Sequence, residues 1–134
     1  MCCDDVVFIL FAAIKNRQVH RNISIATIQG SQWLMAEQAE DGKWVDVHTT
    51  GNVVATLRLV GYSLNETKSC AKQFSKAAQF FAASKDEIQR AEGARLAYVI
   101  MGLNALCKDP SDFMGMNLTA RLLKDMAEFP KGEV

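Results

Sequence analysis

The chain is poor in the residues that break secondary structure. Two prolines and eight glycines among 134 residues are few for a protein built from many turns, and the shortage favours long helices. An excess of charge is also missing. Fifteen basic side chains balance fifteen acidic ones, so no net field draws the chain to nucleic acid or to an anionic membrane. The longest apolar run, residues 6–14, falls far short of the roughly 20 residues that cross a bilayer, which argues against membrane insertion. What is present is an ordinary globular composition, 49% hydrophobic and 22% charged, and this excludes a disordered tail or a collagen-like rod. The length fits one domain able to bury about two-thirds of its unfolded surface.

The run at 6–14 has the size of a signal-peptide core, yet Cys2, Cys3, Asp4 and Asp5 precede it, acidic where such a leader is basic. It reads as a short buried segment or as the edge of a chain that starts further upstream. The four cysteines, Cys2, Cys3, Cys70 and Cys107, allow three pairings, and spacing does not choose among them. Cys2 and Cys3 are adjacent and lack the C-x-x-C spacing of a zinc or redox site, so no metal is expected.

Three triplets, Asn22-Ile23-Ser24, Asn65-Glu66-Thr67 and Asn117-Leu118-Thr119, match the N-glycosylation acceptor pattern, against about 0.6 expected by chance from this composition. They point to secretion, and they also fit helix caps, since Asn, Ser and Thr favour those positions.

The apolar residues recur at helical spacing almost throughout. A first helix is expected over 5–15. A second runs from Asn22 to about Ala39, burying Ile25, Ile28 and Leu34. Asp41-Gly42 interrupts it, and 43–50 reads as loop. A third helix follows Gly51, with Val53, Val54, Leu57 and Val60 on one stripe, and ends near Gly61 or Ser63. The fourth follows the cap region at Asn65 and turns Ala71, Phe74, Ala78 and Phe81 inward, with Lys68, Lys72, Lys76 and Gln79 outward. The fifth spans about 86–107 through Leu96, Val99, Leu103 and Leu106. It is apolar over more than half its circumference, as in a helix buried on two sides. Asp109-Pro110 stops it. A last helix runs from Asn117 to about Glu128 on Leu118, Leu122 and Met126, and Pro130 closes it. The fold class expected is all-α, with antiparallel helical hairpins. Residues 1–22 form an N-terminal segment with a short helix, and 23–134 the main domain.

The segment 33–44, from Trp33 to Trp44, resembles the glutamine-tryptophan repeat of terpene cyclases. Gly42 allows a sharp reversal, Trp44 folds back as an apolar plug, and Gln38 bonds backbone groups freed in the loop. The motif is structural and favours a toroid of hairpins. The cyclase chemistry lacks its residues: Asp41, Asp46, Asp109 and Asp112 are scattered, with no Asp-x-Asp-Asp or Asp-Asp-x-x-Asp. The Gly-Cys-Gly-Glu-Gln thioester motif of the complement toroids is missing too. His20 and His48 have no ligand-like neighbours, and the glycines are isolated, so no phosphate-cradling loop forms. No enzyme is expected.

The segment 93–110, Gly-Ala-Arg-Leu-Ala-Tyr followed through Ala105-Leu106 by Cys107-Lys108-Asp109-Pro110, resembles the transcobalamin and gastric intrinsic factor family, as does the continuation Ser111-Asp112-Phe113 in its invertebrate branch. The resemblance covers about residues 23–126. It implies part of a secreted, cobalamin-binding α/α toroid, glycosylated and disulfide-bonded. There the corrinoid lies between the helical ring and a β domain, and an uptake receptor is the further partner. Arg95 stands where the family has a glutamine at the corrinoid, and it bonds a corrin amide or the nucleotide phosphate, or else snorkels to a helix rim. Cys107 matches a cysteine that the family pairs elsewhere, leaving it free or paired with Cys70. Five or six helices are under half of such a ring, and no β domain follows Val134, so a fragment of a larger carrier is expected. The alternative from another class is a helical-repeat interaction scaffold without ligand; a terpene-cyclase-like toroid comes third.

Overall fold

The computed structural model describes residues 21–64 and 70–128. The expected helix at 5–15, the residues Cys2, Cys3, His20, Asn65, Lys68 and Pro130, and the cap region at 65–69 lie outside them. Six helices make up the described residues, with no strand among them: α1 (Arg21–Ala36), α2 (Val47–Val60), α3 (Ala71–Ala83), α4 (Lys85–Arg90), α5 (Gly93–Ala105) and α6 (Leu118–Glu128). The all-α expectation holds.

The pairing of α2 with α5 organises the rest. Their starts border one cleft. Gly51 of α2 lies against Tyr98 and Val99 of α5, and the Arg58 guanidinium donates to the Ala105 carbonyl at 2.9 Å near their ends. The two helices therefore run parallel. The chain returns from the end of α2 to the start of α5 through α3 and α4, and α3 runs the opposite way, with Cys70 at its start by Arg58 and Phe81 in its last turn by Gly102. Past α5, α6 also reverses: Leu118 N donates to Pro110 O, and Asp125 reaches back to the Gly93 amide at 3.2 Å. Val54, Leu57, Phe74, Phe81, Ile88, Leu96, Val99, Leu103 and Leu118 are buried together between these layers.

Several expectations about the helices need correction. The segment 43–50 is loop only to Asp46, and α2 begins at Val47 because Asp46 caps it, its Oδ1 accepting from Thr49 N at 2.8 Å. Gly51 sits inside that helix because a side chain there would strike the Tyr98 carbonyl. The expected helix at 86–107 is two helices: Ala91 and Glu92 are extended, and Gly93 has φ +53°. The carbonyls freed at this break are taken by Arg121 of α6, whose guanidinium donates to Ile88 O, Gln89 O and Ala91 O at 3.3, 2.8 and 2.8 Å. Ile25 and Ile28 are 48% and 52% exposed, since among the described residues α1 meets the core only through its last turns, at Leu34 and Met35. Finally, α5 is buried on one side and leaves Tyr98 and Met101 exposed, and Met126 of α6 is exposed as well.

The Leu96, Val99, Leu103 and Leu106 stripe is buried as expected, and so are Phe74 and Phe81 of α3. Gly61 ends α2 in the left-handed conformation with φ +108°, its N–H bonded back to Arg58 O.

Candidate functional site

The link between α1 and α2 builds one wall of the site. After α1, Gln38 Nε2 donates to Gly42 O at 2.8 Å and to Gln73 O of α3 at 2.9 Å, so one amide ties the loop to itself and to the neighbouring helix. Gly42 has φ +96°, and a Cβ there would collide with the Lys76 carbonyl of α3. Trp44, 4% exposed, is the plug expected from the motif, and its Nε1 donates to Leu34 O at 2.6 Å. Its backbone N donates to Thr50 Oγ1 at 2.8 Å, and that hydroxyl donates to Asp46 O at 2.7 Å. Between these anchors Val45 is carried at φ +63°, with Asp46 N bonded to Trp44 O at 2.7 Å across a three-residue turn.

Asp46 is the electrostatic hub. Its Oδ1 caps α2 and stands 3.2 Å from His48 Nδ1. Partial burial pushes the carboxyl up. Hydrogen bonds from the Thr49 side chain and backbone, with the charges of His48 and Arg95, outweigh that and hold it below the ordinary aspartate value. Arg95 enters from the first turn of α5 and is exposed to solvent. Asp46, His48, Glu87, Arg90, Glu92 and Arg95 line a cleft of about 520 Å³, with Val47 and Ala91 completing its wall. That volume lies within the range of small-molecule sites. The lining offers hydrogen-bond donors and acceptors of both charges, and no hydroxyl or thiol nucleophile among them. Among the described residues no group of three or more His, Cys, Asp and Glu is arranged to hold a metal ion.

Cys70, Cys107 and Asn117 lie apart from this cleft. No disulfide joins Cys70 to Cys107. Cys70 is fully buried just before α3, and desolvation pushes its thiol up to about 11 against the pull of Arg58, so it stays a neutral core group. Cys107 is exposed, just past α5, at φ +56°. Asn117 does cap a helix: its Oδ1 accepts from Ala120 N at 2.9 Å. Asn117 and Thr119 are both exposed. Asn22 falls inside α1 rather than before it.

Reading the sequence found Arg95 and passed over the others in the cleft. His48 reads as an isolated histidine in sequence because its contact with Asp46 forms only where Asp46 turns its carboxylate onto the first turn of α2. Glu87, Arg90 and Glu92 carry no motif, and they join the cleft only because the chain breaks between α4 and α5. No helix of the described residues is long and apolar enough to cross a membrane. Comparison with known protein families, with characterised proteins and with solved structures finds no match to this chain.

Proposed function

We propose that this chain is a secreted, non-catalytic cobalamin-binding protein of the carrier type, its hairpins belonging to an α/α toroid. One observation carries the reading. Arg95, the residue aligned with a corrinoid contact through the resemblance, is also the side chain that α5 contributes to the cleft. The parallel pair α2 and α5, flanked by the reversed α3 and α6, supports the toroid, since in a ring of hairpins the inner helices run parallel and their starts gather at one mouth. The lining supports an amide-rich ligand: a carboxamide donates through its NH₂ to Asp46, Glu87 or Glu92 and accepts through its oxygen from Arg90 or Arg95. The cleft is open, and a β domain closing over it and an uptake receptor are the partners the resemblance adds.

Secretion is supported by Asn117. Its Oδ1 makes the cap and leaves Nδ2 for a sugar, so a glycan there and the start of α6 are compatible. Chain expressed through a secretory pathway is expected to carry N-glycans at Asn117 and at the Asn22 and Asn65 sequons.

The deciding test is cobalamin retention by purified chain, read by visible absorbance after desalting, with far-UV circular dichroism on the same sample. Corrin at about one per chain, reduced in Arg95→Ala, is expected. A helical, monodisperse chain without corrin overturns the reading. It favours instead the helical-repeat scaffold, for which the exposed Ile25, Ile28 and Trp33 of α1 are the supporting observation.

A further inference from the structure

The junction between α4 and α5 is a break that the fold maintains from outside. Of the eight residues lining the cleft, five belong to the junction or to the turns beside it: Glu87, Arg90, Ala91, Glu92 and Arg95. The backbone of the same stretch is tied to α6. Arg121 donates to the carbonyls of Ile88, Gln89 and Ala91, and Asp125 Oδ2 accepts from the Gly93 amide at 3.2 Å. Arg121 and Asp125 stand four apart, so one face of α6 grips the junction at four backbone groups. The grip interleaves with the lining: residues 88, 89, 91 and 93 serve α6 with their backbone, while 87, 90, 91, 92 and 95 border the cleft. Neither Arg121 nor Asp125 lines the cleft itself. A helix break without such partners opens readily, and the side chains it carries then spread over many arrangements. Held at four points, the backbone from which Arg90, Glu92 and Arg95 project is set before a ligand arrives, and that ordering is not charged to binding.

We propose that Arg121 and Asp125 are positioning residues of this site: α6 fixes the α4–α5 junction in the arrangement that binds, without touching the ligand. The proposal rests on the cobalamin reading and says which residues outside the cleft keep it competent. Loosening the α6 contacts lowers affinity in proportion to the time the junction spends out of place.

The test is cyanocobalamin retention by the full chain, with Tm read on the same variants. Arg121→Met is expected to weaken retention about tenfold, as for a junction in place a tenth of the time, and to lower Tm by about 8 °C. Leu103→Ala, at a buried position near the other end of α5, lowers Tm at least as far but is expected to leave retention by the folded chain as it is. Asp125→Ala is expected to weaken retention several-fold, and Asp125→Asn, which keeps an oxygen for the Gly93 amide, to restore it. The Asp125 pair decides the matter if Arg121→Met does not fold. Arg121→Met and Asp125→Ala chains that hold cyanocobalamin as tightly as a wild type that retains it overturn the positioning role and leave the carrier reading in place. So does a loss that Leu103→Ala matches. A wild-type chain that loses all corrin on desalting overturns the carrier reading and the positioning role with it.

Discussion

Gly51 of α2 and Gly102 of α5 meet backbone to backbone: a Cβ built on Gly102 would lie 2.5 Å from the Gly51 Cα. A Cβ on Gly51 would in turn strike the Tyr98 carbonyl. Both are helical positions where alanine has the better intrinsic propensity, by about 1 kcal/mol. The contact is between two backbones, so no flexible side chain can yield, and the clash outweighs propensity. Gly51→Ala and Gly102→Ala are each expected to destabilise by about 2–3 kcal/mol, a core overpacking cost, in urea titrations followed by circular dichroism. Stabilisation by either substitution would mean that the two helices stand further apart.

Gln38 supports a second prediction. Its amide nitrogen serves Gly42 O and Gln73 O together, so truncation strips two carbonyls at once. Gln38→Ala is expected to cost about 2 kcal/mol. Gln38→Glu leaves only acceptors facing two carbonyls and is expected to cost at least as much, which separates the hydrogen bonds from simple side-chain volume. Equal stability of Gln38→Glu and wild type in thermal unfolding would refute the assignment.

What could be read from the sequence was local in the chain. Gln38, Gly42 and Trp44 act within a few residues of one another, and their roles were legible before any tertiary structure. The buried stripe of α5 and the Asn117 cap were legible for the same reason. Features fixed by distant partners were not. The break before Gly93 depends on a guanidinium some thirty residues later, and Gly51 looks like a helix breaker until Tyr98 lies beside it. Periodicity marked Ile25 and Ile28 as one face but carries no information on whether anything covers it. The cleft draws on three helix ends, and of its charged residues only Arg95 belonged to a recognisable pattern.

Arg121 holds that break together. Its planar fork reaches the carbonyls of Ile88, Gln89 and Ala91, which lie at the end of α4 and beside the cleft residues Arg90 and Glu92. A lysine is a point charge and cannot span the three. Arg121→Lys and Arg121→Met are therefore both expected to lose about 2 kcal/mol. Amide hydrogen exchange over 91–95 should accelerate before the α2 core does. Full rescue by Arg121→Lys would show that charge alone suffices.

Asp46 sets a pH dependence whose sign is determined. Burial raises its carboxyl, but the Thr49 hydrogen bonds and the charges of His48 and Arg95 lower it further, to a net value below the ordinary one. A carboxyl depressed in the folded state contributes stability that is complete above its unfolded pKa and is lost as pH falls through the lower folded value. The Asp46 share is thus whole at pH 7 and disappears as pH drops below about 4. Asp46→Asn retains an oxygen for the Thr49 amide, because asparagine caps as well as aspartate, and removes only the charge. The gap in Tm between wild type and this variant should therefore be open at neutral pH and close as pH falls below about 4. Asp109, also held low by its bonds from Ser111, titrates identically in both proteins and cancels from the difference. A gap that stays constant through the acid range would mean that Asp46 acts as a cap alone and that its charge is not coupled to His48 and Arg95.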